Sequence, residues 1–206
     1  MFRLEIRLKN IAVVIGHPFT GSFSHALAER YIEDARRCGA TLRILDLATH
    51  KFSTIPTALN EVRVRGIDGL DALEPSIAGM VRDMEWADHI VFVYPVWWGT
   101  YPAVLKGFID RVVLSGVAFK YGSKPTKWQK LWRGKTARII YTMDTPIWWN
   151  RLVYKAPSEN SLRWSTLWYV GVKTIGVTKF TPIRTSTAEG REKWLRAVGQ
   201  LGAKDA

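Results

Sequence analysis

The chain has 206 residues, 47% of them hydrophobic and 23% charged, with one cysteine and a formal net charge of +12. That composition fits a globule with its own core rather than a disordered tail, and the lone thiol of Cys38 excludes an intrachain disulfide and a Cys-rich zinc site. The charge-interrupted start MFRLEIRLKN does not read as a leader. The most apolar window, 90–105, is broken by Pro95, Gly99 and Pro102 and falls short of the ~20 residues of a spanning helix. A cytoplasmic protein with no integral membrane segment is expected.

Asn10–Gly16 (NIAVVIG) is a short apolar run ending in glycine, the pattern of a buried strand. Ser22–Cys38 follows with apolar residues at helical spacing and Gly39 as a stop. Thr41–Leu47 alternates and reads as a second strand, whereas Thr49–Asp68 has no period and reads as an irregular excursion. Asp71–Trp86 predicts a helix with Leu73, Ile77, Met80, Val81 and Met84 on one face and Pro75 in its first turn, where proline is tolerated. His89–Tyr94 is a third strand, and Pro102 opens a helix running to about Leu114. Thr136–Thr142 is a fourth strand and Gly171–Phe180 a fifth; Ala188–Leu201 closes the chain as a helix with Trp194, Leu195 and Val198 inward.

Strands alternating with helices, without internal repeats, predict an α/β fold: a doubly wound parallel sheet with helices on both faces. Ligands in such sheets bind beyond the carboxyl ends of the strands, where the strand order reverses. Three segments are therefore candidates: Gly16–Ser24, Pro95–Tyr101 and Met143–Trp149.

The first segment, GHPFTGSFS, follows a strand and opens a helix, so its hydroxyls and free amides suit a phosphate. It contains neither GxGxxG nor GxxxxGK[ST], and an ordinary helix cap by Ser22 or Ser24 reads it equally well. The second, PVWWGTYP, crowds large apolar side chains into a turn, which suits a flat aromatic ligand or a buried cluster. Residues 121–206 hold 16 Lys or Arg against 5 Asp or Glu. That excess suits an anionic partner or plain solubility; the cations are dispersed with no run of three, so nucleic acid is not the expected partner.

HPFTGSF after the first strand and PVWWGTYPAVLKGFIDRV after the third resemble the flavodoxin-like NAD(P)H:quinone oxidoreductase family, whose patterns are HPxxxSF and PxxW…PAxLKGxxDRV. The similarity runs in matching order to about Thr142. The resemblance implies a five-stranded parallel sheet of order 2-1-3-4-5 in one flavodoxin-like domain over 1–206, with a Trp-rich insertion at about 145–171. It implies a flavin, two-electron reduction of quinones or similar flat acceptors by NADH or NADPH in a ping-pong scheme, and a homodimer with its active site between subunits. His17, Thr20, Ser22, Phe23 and Ser24 would meet the flavin's phosphates and ribityl chain, and Pro95, Val96, Trp97, Trp98 and Gly99 would run along its ring. Trp97, Trp98, Tyr101 and Trp148 would wall the acceptor slot. Lys106, Asp110 and Arg111 would be structural.

Two departures qualify this. Gly99 stands one place earlier than in related quinone reductases, so the backbone path there is expected to differ. After the fourth strand, where the family carries Thr-Thr-Gly-Gly, this chain has Thr142-Met143-Asp144-Thr145-Pro146. Without glycine the same positive-φ approach is closed. The Thr142 and Met143 amides would then serve the ring edge, with Thr145 or Asp144 capping a helix begun by Pro146. No histidine follows His89, so no catalytic acid or base is carried over. FAD is favoured over FMN by the Ser22-Phe23 pair. The alternatives are an FMN reductase or azoreductase, or a non-catalytic flavin-binding regulatory subunit.

Overall fold

A computed structural model describes residues 9–206 apart from Pro125; the reading of the start as leaderless falls largely on residues 1–8, outside that range. Five strands form one parallel sheet: β1 (Asn10–Ile15), β2 (Thr41–Asp46), β3 (His89–Pro95), and, after a hairpin of β4 (Phe119–Tyr121) and β5 (Trp128–Lys130), β6 (Thr136–Thr142) and β7 (Lys173–Phe180). Their order is β2-β1-β3-β6-β7, the predicted doubly wound order. Register is direct, with Ile11 opposite His89 and Pro95 opposite Thr142.

Burial on both faces explains why these strands read as continuous apolar runs. Ile11, Val13, Ile15, Val91, Val93 and Ile140 point to one face, which α1 (Phe23–Arg37) and the closing helix cover. Ala12, Val14, Ile90, Phe92, Tyr94, Ile139 and Tyr141 point to the other, under α2 (Pro75–Trp86) and α3 (Ala103–Val112). Lys106 and Asp110 pair on the outside of α3, while Arg111 is buried against Glu61 of the excursion.

Several boundaries differ from expectation. Residues 67–72 form a separate 3-10 turn, because Pro75 can start α2 but cannot donate back into a preceding turn. Pro102 caps α3 from outside rather than opening it. The β4–β5 hairpin was not foreseen: three-residue strands are too short to show a period. Residues 147–168 hold α4 (Ile147–Leu152), α5 (Pro157–Asn160) and a π-helical stretch, Ser161–Trp168, which buries Leu162 and Leu167 and leaves Trp164 and Trp168 half exposed.

The closing helix, α6 (Ala188–Asp205), runs four residues past the predicted end. Asp205 lies at the amino ends of the central strands, buried with Arg138, His89 and Tyr31. Arg138 Nη2 donates to Asp205 Oδ1 at 2.7 Å, Tyr31 Oη donates to Oδ2 at 2.9 Å, and His89 Nε2 lies 3.4 Å from Oδ2. Among the described residues no helix is long and apolar enough to cross a membrane.

Candidate flavin site at the switch point

β1 hands the chain to β2 on one side, and β3 lies on the other, so the loops after β1 and β3 flank the point where strand order reverses. Gly16 extends the ladder by donating to the Val93 carbonyl at 2.8 Å. A side chain there would stand 2.7 Å from Leu105 Cδ2, so only glycine lets α3 pack this close. His17 is buried, with Nδ1 2.8 Å from the Phe19 carbonyl and its ring edge-on to Trp97 at 5.5 Å. Burial pulls its basicity below the ordinary histidine value against the opposing pull of that carbonyl. The two loops are thus clipped together by a His17–Phe19–Trp97 cluster.

Gly21, at φ 71°, turns the chain into α1 and Ser22 caps it. Ser22 Oγ lies 2.7 Å from His25 Nδ1, and His25 Nε2 lies 3.1 Å from Asp46 Oδ1 at the end of β2. This relay fixes the serine hydroxyl. The amides of Gly21, Phe23 and Ser24 meet no protein acceptor among the described residues, which leaves an amide cradle at the positive end of a 15-residue helix. The Phe23 ring itself packs on Trp194 at 6.1 Å, so Phe23 offers the site its amide alone. Thr20 is exposed and Ser24 buried beside the cradle.

In the second loop Pro95 ends β3 and the Val96 amide donates to the Thr142 carbonyl at 2.7 Å. Trp97 and Thr100 exchange backbone hydrogen bonds at 2.8 and 3.0 Å around Trp98 (φ 51°) and Gly99 (φ 79°). Two positive φ values in succession match the tight primed turn of a two-residue hairpin, which favours glycine at the second position. That accounts for Gly99 standing where it does. Trp98 is held left-handed at the tip with its indole fully in solvent, 103% exposed. Tyr101 does not wall a slot: it is 5% exposed, edge-on to Tyr94, with its hydroxyl 3.0 Å from Ser161 Oγ.

The third loop corrects the sequence reading. Thr142 is buried in the ladder and the Met143 amide donates to the Phe180 carbonyl at 3.0 Å, so it is not free for a ring edge. β7 runs alongside β6 to its end and takes that donor. Asp144 does not cap α4: its Oδ1 accepts the Arg184 amide at 2.7 Å, and the Thr145 carbonyl accepts Thr181 Oγ1 at 2.9 Å. Pro146 precedes α4, which has no side-chain cap.

Between the second and third loops opens a cleft of about 510 Å³ lined by Val96, Trp98, Gly99, Thr145, Asn150, Tyr154 and Pro157. Thr145 lies in the third candidate segment, whereas Asn150, Tyr154 and Pro157 fall outside all three. Lys155 and Ala156 both take left-handed φ values (62° and 48°), which fold Pro157 back to Gly99. Lys-Ala-Pro carries no signal for that, since a residue before proline favours an extended backbone. Beneath the cleft Tyr94 and Tyr141 stack at 5.8 Å; burial raises both phenols, so they stay protonated.

This geometry agrees with comparisons to known proteins. Residues 9–201 match a protein family described as flavodoxin-like fold. The chain belongs to that family. Over 124 residues it is 32% identical to rat (Rattus norvegicus) ribosyldihydronicotinamide dehydrogenase [quinone], covering 54% of each chain. Over 116 residues it is 29% identical to the Escherichia coli K12 uncharacterized NAD(P)H oxidoreductase YcaK, covering 56% of this chain and 58% of that one. The chain thus spans about half the length of the curated relatives it matches. Among solved structures, Smu.1420 from Streptococcus mutans UA159 superposes with a TM-score of 0.80 at 28% identity, covering 95% of this chain and 99% of that one. The NAD(P)H:quinone oxidoreductase from Methanothermobacter marburgensis shares the fold at 0.77 and 22% identity, covering 97% and 100%.

Proposed function

We propose that the chain is a flavin-dependent NAD(P)H oxidoreductase that reduces quinones or similar flat acceptors by two electrons. The observation that carries this is the pairing, at one switch point, of an unsatisfied amide cradle on α1 with an indole held exposed by a strained turn on the neighbouring strand. The names of the curated relatives support it. The residues fit a flavin: the Gly21, Phe23 and Ser24 amides would hold a phosphate, and Val96, Trp97, Trp98 and Gly99 would flank the ring. Thr145, rather than Met143, borders the cleft where a ring edge would lie.

When bound, a flavin supplies hydride acceptance from the nicotinamide and delivery to the acceptor. The balance is NAD(P)H, a proton and a quinone giving NAD(P)⁺ and a hydroquinone. The chain's part is positioning: the Asp46–His25 relay fixes Ser22, and the Trp97–His17 contact holds the ring-facing turn against the cradle. FAD is the proposed flavin, on the Ser22-Phe23 pair, and Trp164 and Trp168 are proposed to face a second copy in a homodimer. A cytoplasmic location is part of the same reading.

The test is an absorption spectrum of the purified protein, then anaerobic addition of NADH and of NADPH. A flavin spectrum bleached within the mixing time by either donor is expected, and extraction of that flavin distinguishes FAD from FMN. Protein that stays colourless after incubation with both flavins overturns the reading. Sedimentation at micromolar concentration reads the dimer.

A further inference from the structure

α4 and the turn after it show an unusual surface. Ile147, Trp148, Trp149, Leu152, Val153 and Tyr154 are all exposed, Trp148 at 59% and Leu152 at 62%, while only Asn150 points inward. Soluble proteins seldom leave so many large apolar side chains together in water without a partner for them. Two exposed cations, Arg151 and Lys155, are set among them and make no ion pair among the described residues. Of the flanking acids, Glu159 is paired with Lys179 at 2.7 Å and Arg163 at 3.6 Å, while Asp144 accepts the Arg184 amide and keeps its charge, which leaves Arg151 and Lys155 in excess on this face. Neither the Trp148 nor the Trp149 indole N–H donates to a protein acceptor among the described residues.

We propose that this face docks on an anionic lipid surface. Three properties select that occupant. Unpaired cations call for a negative partner. A twofold contact of this face with its own copy would set Arg151 and Lys155 against like charges. Indoles and a phenol, apolar with a polar edge, suit the headgroup boundary, where phosphate and ester oxygens accept their N–H and O–H. Tyr154 also lines the cleft beside Trp98, so docking places the mouth of the candidate site at the lipid surface. A lipid-dissolved quinone would then reach the site without crossing water; that consequence rests on the proposed reductase activity, whereas the docking does not.

The test is co-sedimentation of the full chain with vesicles of phosphatidylcholine alone and of phosphatidylcholine mixed with phosphatidylglycerol, at low and high salt. Binding to the mixed vesicles at low salt, weakened by salt and absent from pure phosphatidylcholine, is expected. Arg151→Glu with Lys155→Glu lowers that partition by about tenfold or more, and Leu152→Ser lowers it independently, with unchanged far-UV circular dichroism in both. No preference for the mixed vesicles, or equal binding by the charge-reversed variant, overturns the proposal. So does dissociation of a dimer by Leu152→Ser, which would make this face a self-contact. In turnover, Arg151→Glu alone, at a residue outside the cleft lining, should lose rate with a long-chain quinone carried in mixed vesicles and keep it with a short water-soluble quinone. Vesicle binding without any turnover would overturn the reductase reading and leave the docking intact.

Discussion

Trp98 is the residue at which structure and proposed function pull against each other. A bulky residue in the left-handed region costs about 1–2 kcal/mol relative to glycine, and its fully exposed indole regains nothing from packing in the free protein. Trp98→Gly should therefore raise the melting temperature slightly while lowering flavin retention, read as the ratio of flavin to protein absorbance after gel filtration. A lower melting temperature would show that the indole stabilises the turn itself. Asp205 is the opposite case. Burial works to raise its carboxyl, but the hydrogen bonds and charges of Arg138 and His89 outweigh that and hold it well below the ordinary 3.8. A depressed acid contributes stability that is complete above the unfolded value and is lost as pH falls through that value toward the folded one. Asp205→Asn should cost about 3–5 kcal/mol at pH 7, because it leaves Arg138 buried without its counter-charge. Urea titrations from pH 7 to 3 check both points: the variant should lose less stability on acidification than the parent.

At the scale of elements, legibility followed period and burial. β1, β3 and β6 were readable nearly to the residue because both their faces are covered and their apolar runs end at turn residues. α6 was read only to Leu201, four residues short, and its last turns carry Gly199 and Gly202. Both sit where α6 crosses α1, and a side chain at 202 would stand against the Tyr31 carbonyl and the Ala35 amide. Gly202→Ala should thus destabilise by about 1–3 kcal/mol despite its better helix propensity, as measured by chemical denaturation. Ala197→Gly, on the exposed side of the same helix, should cost only about 1 kcal/mol. In the site, the loops after β1 and β3 were legible from their motifs. The loop after β6 was not, because what decides the Met143 amide is its pairing with Phe180, 37 positions along the chain. Local sequence cannot display a contact of that range.

For the whole molecule, the buried carboxylate cluster and the candidate flavin site occupy opposite ends of one sheet. His89 and Arg138 lie at or near the start of their strands, Pro95 and Thr142 at the finish, about 20 Å apart for a seven-residue strand. Sites so separated, with no shared partners, combine additively within about 0.5 kcal/mol. The double variant Asp205→Asn with Trp98→Gly should accordingly show the sum of the two single stability changes, with the flavin loss of the second alone. For evolution, this layout divides the labour of the chain. One rim can change its loops while the other, where Asp205 of α6 holds Tyr31 of α1 and Arg138 of β6, keeps the helices fastened to the sheet.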